Sequence, residues 1–244
     1  MYKMKNNFLF LLILLPYVLL SNTIDSTKSV DSTKNRKWEI GFSFSPDYSY
    51  RTLKSDADNQ SLKEMRDTLE IPKFGFTTGI NVVYHFNDRI VLETGLLFSD
   101  KGEKTKKTSF ENVPSSQLPI YYTYKYHYLY LDIPLKVDYY LLTGKLKLFV
   151  TAGVSGNIFI NQKTTLLQGH DNGDIQKNTT TFNPGFNRFN LAMIAGLGIN
   201  YKLSSRMNLK VEPVYRRSLT SIANTPIKSY LYSTGLNMGI SFKL

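Results

Sequence analysis

The sequence predicts an all-β protein, an eight-stranded antiparallel up-and-down transmembrane β-barrel. Three observations predict it. Eight segments alternate apolar and polar residues with a period of two. The connections between them alternate strictly between long and short. An apolar stretch too short to cross a bilayer as a helix precedes them all.

That stretch reads as an address. Lys3 and Lys5 supply positive charge, Phe8 to Leu20 is almost purely apolar, and polar residues resume at Ser21. This is the pattern of a secretory signal peptide, assigned to residues 1–21. A membrane anchor is the alternative, but a helical span needs about 20 apolar residues, and Pro16 interrupts the run. Residues 22–37 are polar and repeat Asp-Ser-Thr-Lys at 25–28 and 31–34. They read as a disordered periplasmic lead-in, and residues 38–244 as the barrel domain.

The strands follow in order. Trp38, Ile40, Phe42, Phe44 and Tyr48 share one face of the first, against Glu39, Ser43 and Asp47. Phe74 to Phe86 repeats the pattern, turns at Asn87-Asp88-Arg89, and returns through Ile90 to Lys101. Tyr124 to Tyr139 sets Leu129, Leu131, Ile133, Leu135 and Val137 against Tyr130, Asp132, Lys136 and Asp138. A turn at 142–145 leads to Leu146–Ser155, and a turn at 203–206 separates Asn190–Lys202 from Met207–Arg216. Leu236 to Leu244 closes the series. Residues 51–73, 102–123, 161–187 and 219–229 form the long connections. Short turns on the periplasmic side and long loops outside are the habit of outer-membrane barrels. A soluble lipocalin-like barrel would place its apolar residues inside.

Composition narrows the function. The 244 residues include no cysteine, which excludes disulfides, thiolate metal sites, cysteine nucleophiles and lipoprotein anchors. The net charge of +11 is scattered and not gathered on a helix or stripe, so a nucleic-acid partner is set aside. Anionic phosphates of outer-membrane lipid are the natural partner. No cofactor is expected.

Three groups of residues stand out. Glu93, Asp132, Lys136, Asp138, Lys210, Glu212 and Arg216 fall on the inward register. A narrow interior is filled by side chains, and buried charge must be paired, so these seven are expected to form a charge network that plugs the barrel. The second long loop carries Lys101, Lys104, Lys106, Lys107 and Lys125 against Glu103 and Glu111, a basic surface loop for lipid headgroups or polysaccharide. Tyr121, Tyr122, Tyr124, Tyr126, Tyr128 and Tyr130 read first as an interfacial girdle with interior filling, and second as a surface for stacking sugar rings. His85, His127 and His170 lie on separate segments and suggest no metal site. Pro134 and Pro213 read as bulges or kinks in the wall.

Several short motifs resemble the PorT-like family of small outer-membrane barrels. They are Gly41-Phe42-Ser43-Phe44-Ser45-Pro46, Tyr130-Leu131-Asp132-Ile133-Pro134-Leu135, Ala195-Gly196-Leu197-Gly198, Val211-Glu212-Pro213-Val214-Tyr215-Arg216 and Gly239-Ile240-Ser241-Phe242-Lys243-Leu244. Many relatives have Glu where this chain has Asp132. The resemblance implies a barrel in the bacterial outer membrane. Gly239, Phe242 and Leu244 resemble the C-terminal signal read by the barrel-assembly machinery. The expected role is structural or interactive, through protein or polysaccharide partners at the outer loops and without enzymatic activity. A narrow channel and a lipid-modifying enzyme are the alternatives.

Overall fold

A computed structural model describes residues 37–110, 118–181 and 185–244. The expected signal peptide and nearly all of the expected lead-in lie outside the described residues.

The described residues form eleven antiparallel strands in one sheet, which overturns the eight-stranded up-and-down expectation. The strands are β1 (Trp38–Lys54), β2 (Glu70–His85), β3 (Ile90–Lys101), β4 (Glu103–Thr105), β5 (Thr108–Ser109) and β6 (Tyr121–Tyr140). They continue with β7 (Leu146–Gly169), β8 (Ile175–Thr181), β9 (Phe189–Lys202), β10 (Met207–Ser218) and β11 (Lys228–Lys243). The additional strands are β4, β5 and β8, which arise in segments the sequence presents as loops. Each adds to an existing ladder: β4 to β2 and β6, β5 to β6, and β8 to β7. Thr-rich and aromatic runs, which fit a pleated surface, supply the pairing edges.

The long strands pair in the sequence β2–β1–β11–β10–β9–β7–β6–β3, and β3 pairs again with β2. Each therefore has hydrogen-bonded neighbours on both sides. Several run past their expected ends: β1 reaches Lys54, β7 reaches Gly169, and β11 starts at Lys228. Between β1 and β2 the chain forms a 3₁₀ turn (Ala57–Asn59) and a helix, α1 (Gln60–Leu69).

The two faces of this sheet invert the usual rule. Phe42 is 54% exposed and Leu135 58%, whereas Asp47 and Glu212 are 0% exposed. An apolar exterior around a polar interior is stable only where the exterior meets lipid. Aromatic rings mark both limits of the apolar band. Trp38 contacts Tyr84 at the short-turn end, and Tyr48 contacts Phe74 at the other. The ten steps of β1 between Trp38 and Tyr48, at about 3.3 Å each, rise about 25 Å at the usual tilt of about 40°.

Pro134 and Pro213 do not shift the register. The ladder lapses beside each, between Thr94/Leu135 and Leu97/Asp132 and between Val211/Ile199 and Val214/Gly196, then resumes in phase. The register shift falls elsewhere, between Leu129 and Tyr130. Gly102, with φ +139°, joins β3 to β4. A Cβ there would collide with the Tyr126 carbonyl oxygen and crowd Lys73 Cε at 3.1 Å. Replacing Gly102 with Val should lower stability by about 1–3 kcal/mol, read from urea unfolding in detergent micelles. An unchanged midpoint would show that this joint yields freely.

Candidate functional site

The buried face of the sheet is organised around two lysines and three carboxylates. Lys210 Nζ lies 2.5 Å from Glu93, 2.6 Å from Asp138 and 3.5 Å from Glu212. Lys136 Nζ lies 2.8 Å from Glu93 and 3.3 Å from Glu212. The alternation of β3, β6 and β10 aims all five side chains to one side, and register brings them to one level. Neutral donors add to the shell: Asn81 donates to Glu93, Thr151 to Asp138, and Asn237 to Glu212 Oε2.

The other two predicted members belong to separate pairs. Asp132 accepts from Lys101 at 2.8 Å. Arg216 donates to Asp47 at 2.9 Å, and Ser45 and Thr77 donate to the same carboxylate. Lys101 therefore corrects the sequence reading. It ends β3, is 6% exposed, and belongs to the buried charge system and not to a basic surface loop. Asp47 had its inward register visible in β1, but its arginine partner lies 169 residues away. Toward the short turns, Glu39 accepts from Asn208 and Ser241 and contacts His85 at 2.7 Å.

Beyond the Tyr48–Phe74 girdle, outside the membrane-spanning part, a third cluster appears where the sequence suggested only loop. Arg51 is fully buried and paired with Asp67 at 2.6 Å and with Glu70. Arg66 reaches Glu70 from one turn earlier in α1. Glu103, on β4 opposite Pro72, accepts from the Tyr128 hydroxyl at 2.8 Å, while its Oε2 is buried without a partner among the described residues. Burial first, and the Glu70 charge second, push the Glu103 carboxyl up to about 7, against the Tyr128 hydrogen bond and the arginines. Ile222 from the last long connection packs with Tyr128, Tyr130 and Leu231, joined by Phe159 and Phe186.

Of the remaining predicted residues, Gly239 lines the inward face beside Lys210, and the others lie outward. Lys104 sits on β4, and Lys106 and Lys107 are exposed, with Lys107 Nζ 3.7 Å above the Tyr121 ring. Gly239 and Phe242 lie on β11, Phe242 half exposed and paired with Ile40 and Met207. The Leu244 backbone N–H donates to the Trp38 carbonyl. His127 Nδ1 contacts Asp100 at 2.8 Å and Lys73 at 3.1 Å. Cavities on the buried face are small: about 30 Å³ beside Glu39, Asn81 and Lys210, and about 10 Å³ beside Lys101 and Arg216. Such volumes hold a water molecule or two.

The sequence matches the family described as outer membrane protein beta-barrel domain over residues 25–224. No curated protein matches it. Among solved structures, Neisserial surface protein A is 15% identical, with 85% of this chain and 97% of that one covered and a TM-score of 0.47. OprG from Pseudomonas aeruginosa is 15% identical, with 85% and 95% covered and a TM-score of 0.41. Ail, the attachment invasion locus protein of Yersinia pestis, is 12% identical, with 84% and 98% covered and a TM-score of 0.35.

Two outcomes follow from the buried charges. Lys210→Met leaves the buried carboxylates Glu93 and Asp138 without a shared cation and should cost about 3–5 kcal/mol, measured by urea unfolding in micelles with exposed Lys228→Met as the control. Glu103 binds its proton in the native state up to about pH 7, whereas the ordinary value is 4.5. The native state therefore holds more protons between these values, and stability falls as pH rises through them. Glu103→Gln should flatten that slope and be more stable than the parent at pH 8. An unaltered pH profile would remove Glu103 from this role.

Proposed function

Because this chain belongs to the outer membrane protein beta-barrel domain family and resides in the bacterial outer membrane, we propose that it is a non-conducting surface interaction protein whose partner is a polysaccharide. The observation that carries this reading is the contrast between its two ends. The buried face is filled by paired charges and closed by the Ile222 cluster. The outer ends of β6 and β7, with β8, extend past the girdle as a built sheet.

One face of that sheet carries a row of rings. Phe110 and Tyr122 are 5.4 Å apart, Tyr122 and Tyr124 5.7 Å, and Tyr124 and Tyr126 6.5 Å. Directly across the ladders stand Gln168 and Leu166, then Gln176 and Asn178. Flat rings beside amide donors and acceptors suit sugar rings, whose C–H faces stack and whose hydroxyls need both kinds of partner. Adhesion and envelope integrity are the roles such a surface serves. The finer kinship to PorT-like barrels rests on the motifs quoted above, and no secretion role follows from fold alone. We also assign export to the apolar stretch Phe8–Leu20, and recognition by the assembly machinery to Gly239, Phe242 and Leu244.

Two measurements test the reading. In planar bilayers the purified protein should give no conductance steps, and ohmic steps would favour the narrow-channel alternative. On an array of bacterial surface glycans, Tyr122→Ala with Tyr124→Ala should reduce binding at least tenfold while the heat-modifiable gel shift persists. Unchanged binding would move the interaction away from this face.

A further inference from the structure

We propose that the opposite, outward face of the same sheet docks the phosphate groups of an anionic glycolipid in the outer leaflet. This inference rests on the membrane location and on residues separate from the tyrosine row.

The register assembles the site. Along β6 the outward column runs Leu135, Ile133, Leu131, Leu129, then His127 and Lys125, so the apolar band gives way to basic residues on one continuous surface. Lys104 on β4 stands directly opposite Lys125. His127 stands directly opposite Lys163 on β7. On β8, Lys177 stands opposite Leu167 on the same face, and Lys163 and Lys177 are exposed. Side chains directly opposite in an antiparallel pair lie about 5 Å apart at Cβ, and like charges there repel. Among the described residues, none of these four lysines is in an ion pair. The neighbouring carboxylate, Asp100, is already engaged by Lys73 and His127.

A phosphate between Lys104 and Lys125 would relieve the repulsion of that pair, and Lys163 and Lys177 stand two residues along β7 and β8 from the level of that pair, where further phosphate oxygens would meet them. Lysine serves phosphate well as a mobile point charge. The continuity with Leu129, Ile133, Ile158 and Ile160 selects the source. A molecule whose acyl chains lie on that band would present its headgroup phosphates at the height of the lysines. A free ion would gain nothing from the apolar surface. The location at the bilayer edge also lets the lysine stems lie along apolar surface while their ammonium groups reach the headgroups.

The test is native mass spectrometry of the refolded full chain in detergent micelles, titrated with hexa-acyl bisphosphorylated lipid A and with its dephosphorylated counterpart. The phosphorylated form should bind at least tenfold more tightly. The variant with Lys104, Lys125, Lys163 and Lys177 all replaced by Gln should lose that preference, whereas Tyr122→Ala should keep it. Folding is checked by the heat-modifiable gel shift. If the quadruple variant does not fold, Lys163→Gln and Lys177→Gln, both at exposed positions, should each lower the preference about threefold. Equal binding of the two lipids, or a preference retained by the substituted chains, would overturn the proposal. So would displacement of lipid A by inorganic phosphate at matched phosphate concentration, which would mark an ion site and not a lipid site. Loss of glycan binding alone would leave this proposal standing.

Discussion

Lys210 lies on β10, yet its ammonium sits within 2.6 Å of carboxylates on β3 and β6, residues 117 and 72 positions away in the chain. The constraint behind this arrangement is dielectric. Strands that turn apolar side chains to lipid must turn the alternate residues inward, where there is little water to solvate a charge. Inward acids therefore take cations from other strands, and the inward lysines Lys136 and Lys210 take acids. Glu93, Asp138 and Glu212 converge on Lys136 and Lys210 for this reason. The pairs Lys101–Asp132 and Arg216–Asp47 repeat the solution one level further out.

The buried face is occupied by paired charges and by aromatic and aliphatic side chains. The surface proposed for binding lies beyond the girdle, on the outer sheet. There the chain builds ordered structure: α1 folds against the Arg51–Glu70 pair, and β4 and β8 extend existing ladders. A backbone hydrogen-bonded to the membrane-spanning strands positions side chains more rigidly than free loops would. The two faces of this sheet then differ by the period of two alone, with Tyr122, Tyr124 and Tyr126 on one and Lys125 on the other.

The prolines illustrate how the wall accommodates a missing donor. Pro134 and Pro213 interrupt one ladder each while register is kept on both sides of them. The adjustment that does shift register falls at Leu129/Tyr130, near the height where lipid-facing leucine gives way to His127 and Lys125. The wall thus changes its pairing close to where its surroundings change from hydrocarbon to headgroup.

What the sequence by itself determined was the alternation. Period-two patterning assigns each side chain to one face, and for Phe42, Leu135, Glu93 and Glu212 the assignment follows from chemistry and spacing alone. It also marked the seven charged residues, since acids and lysines on an otherwise lipid-compatible strand have one direction to face. Partner choice was decided by the tertiary structure. Which lysine meets which acid depends on the relative register of distant strands, and register is a property of pairs. Lys101 was placed at the end of the third strand but counted with the basic loop that follows, because its direction depends on a partner strand, and only the β3–β6 register delivers it to Asp132. The strand count failed for the same reason. β4, β5 and β8 lack strong alternation, and they become strands because a neighbouring edge offers hydrogen bonds, a condition that exists only once the long strands have paired.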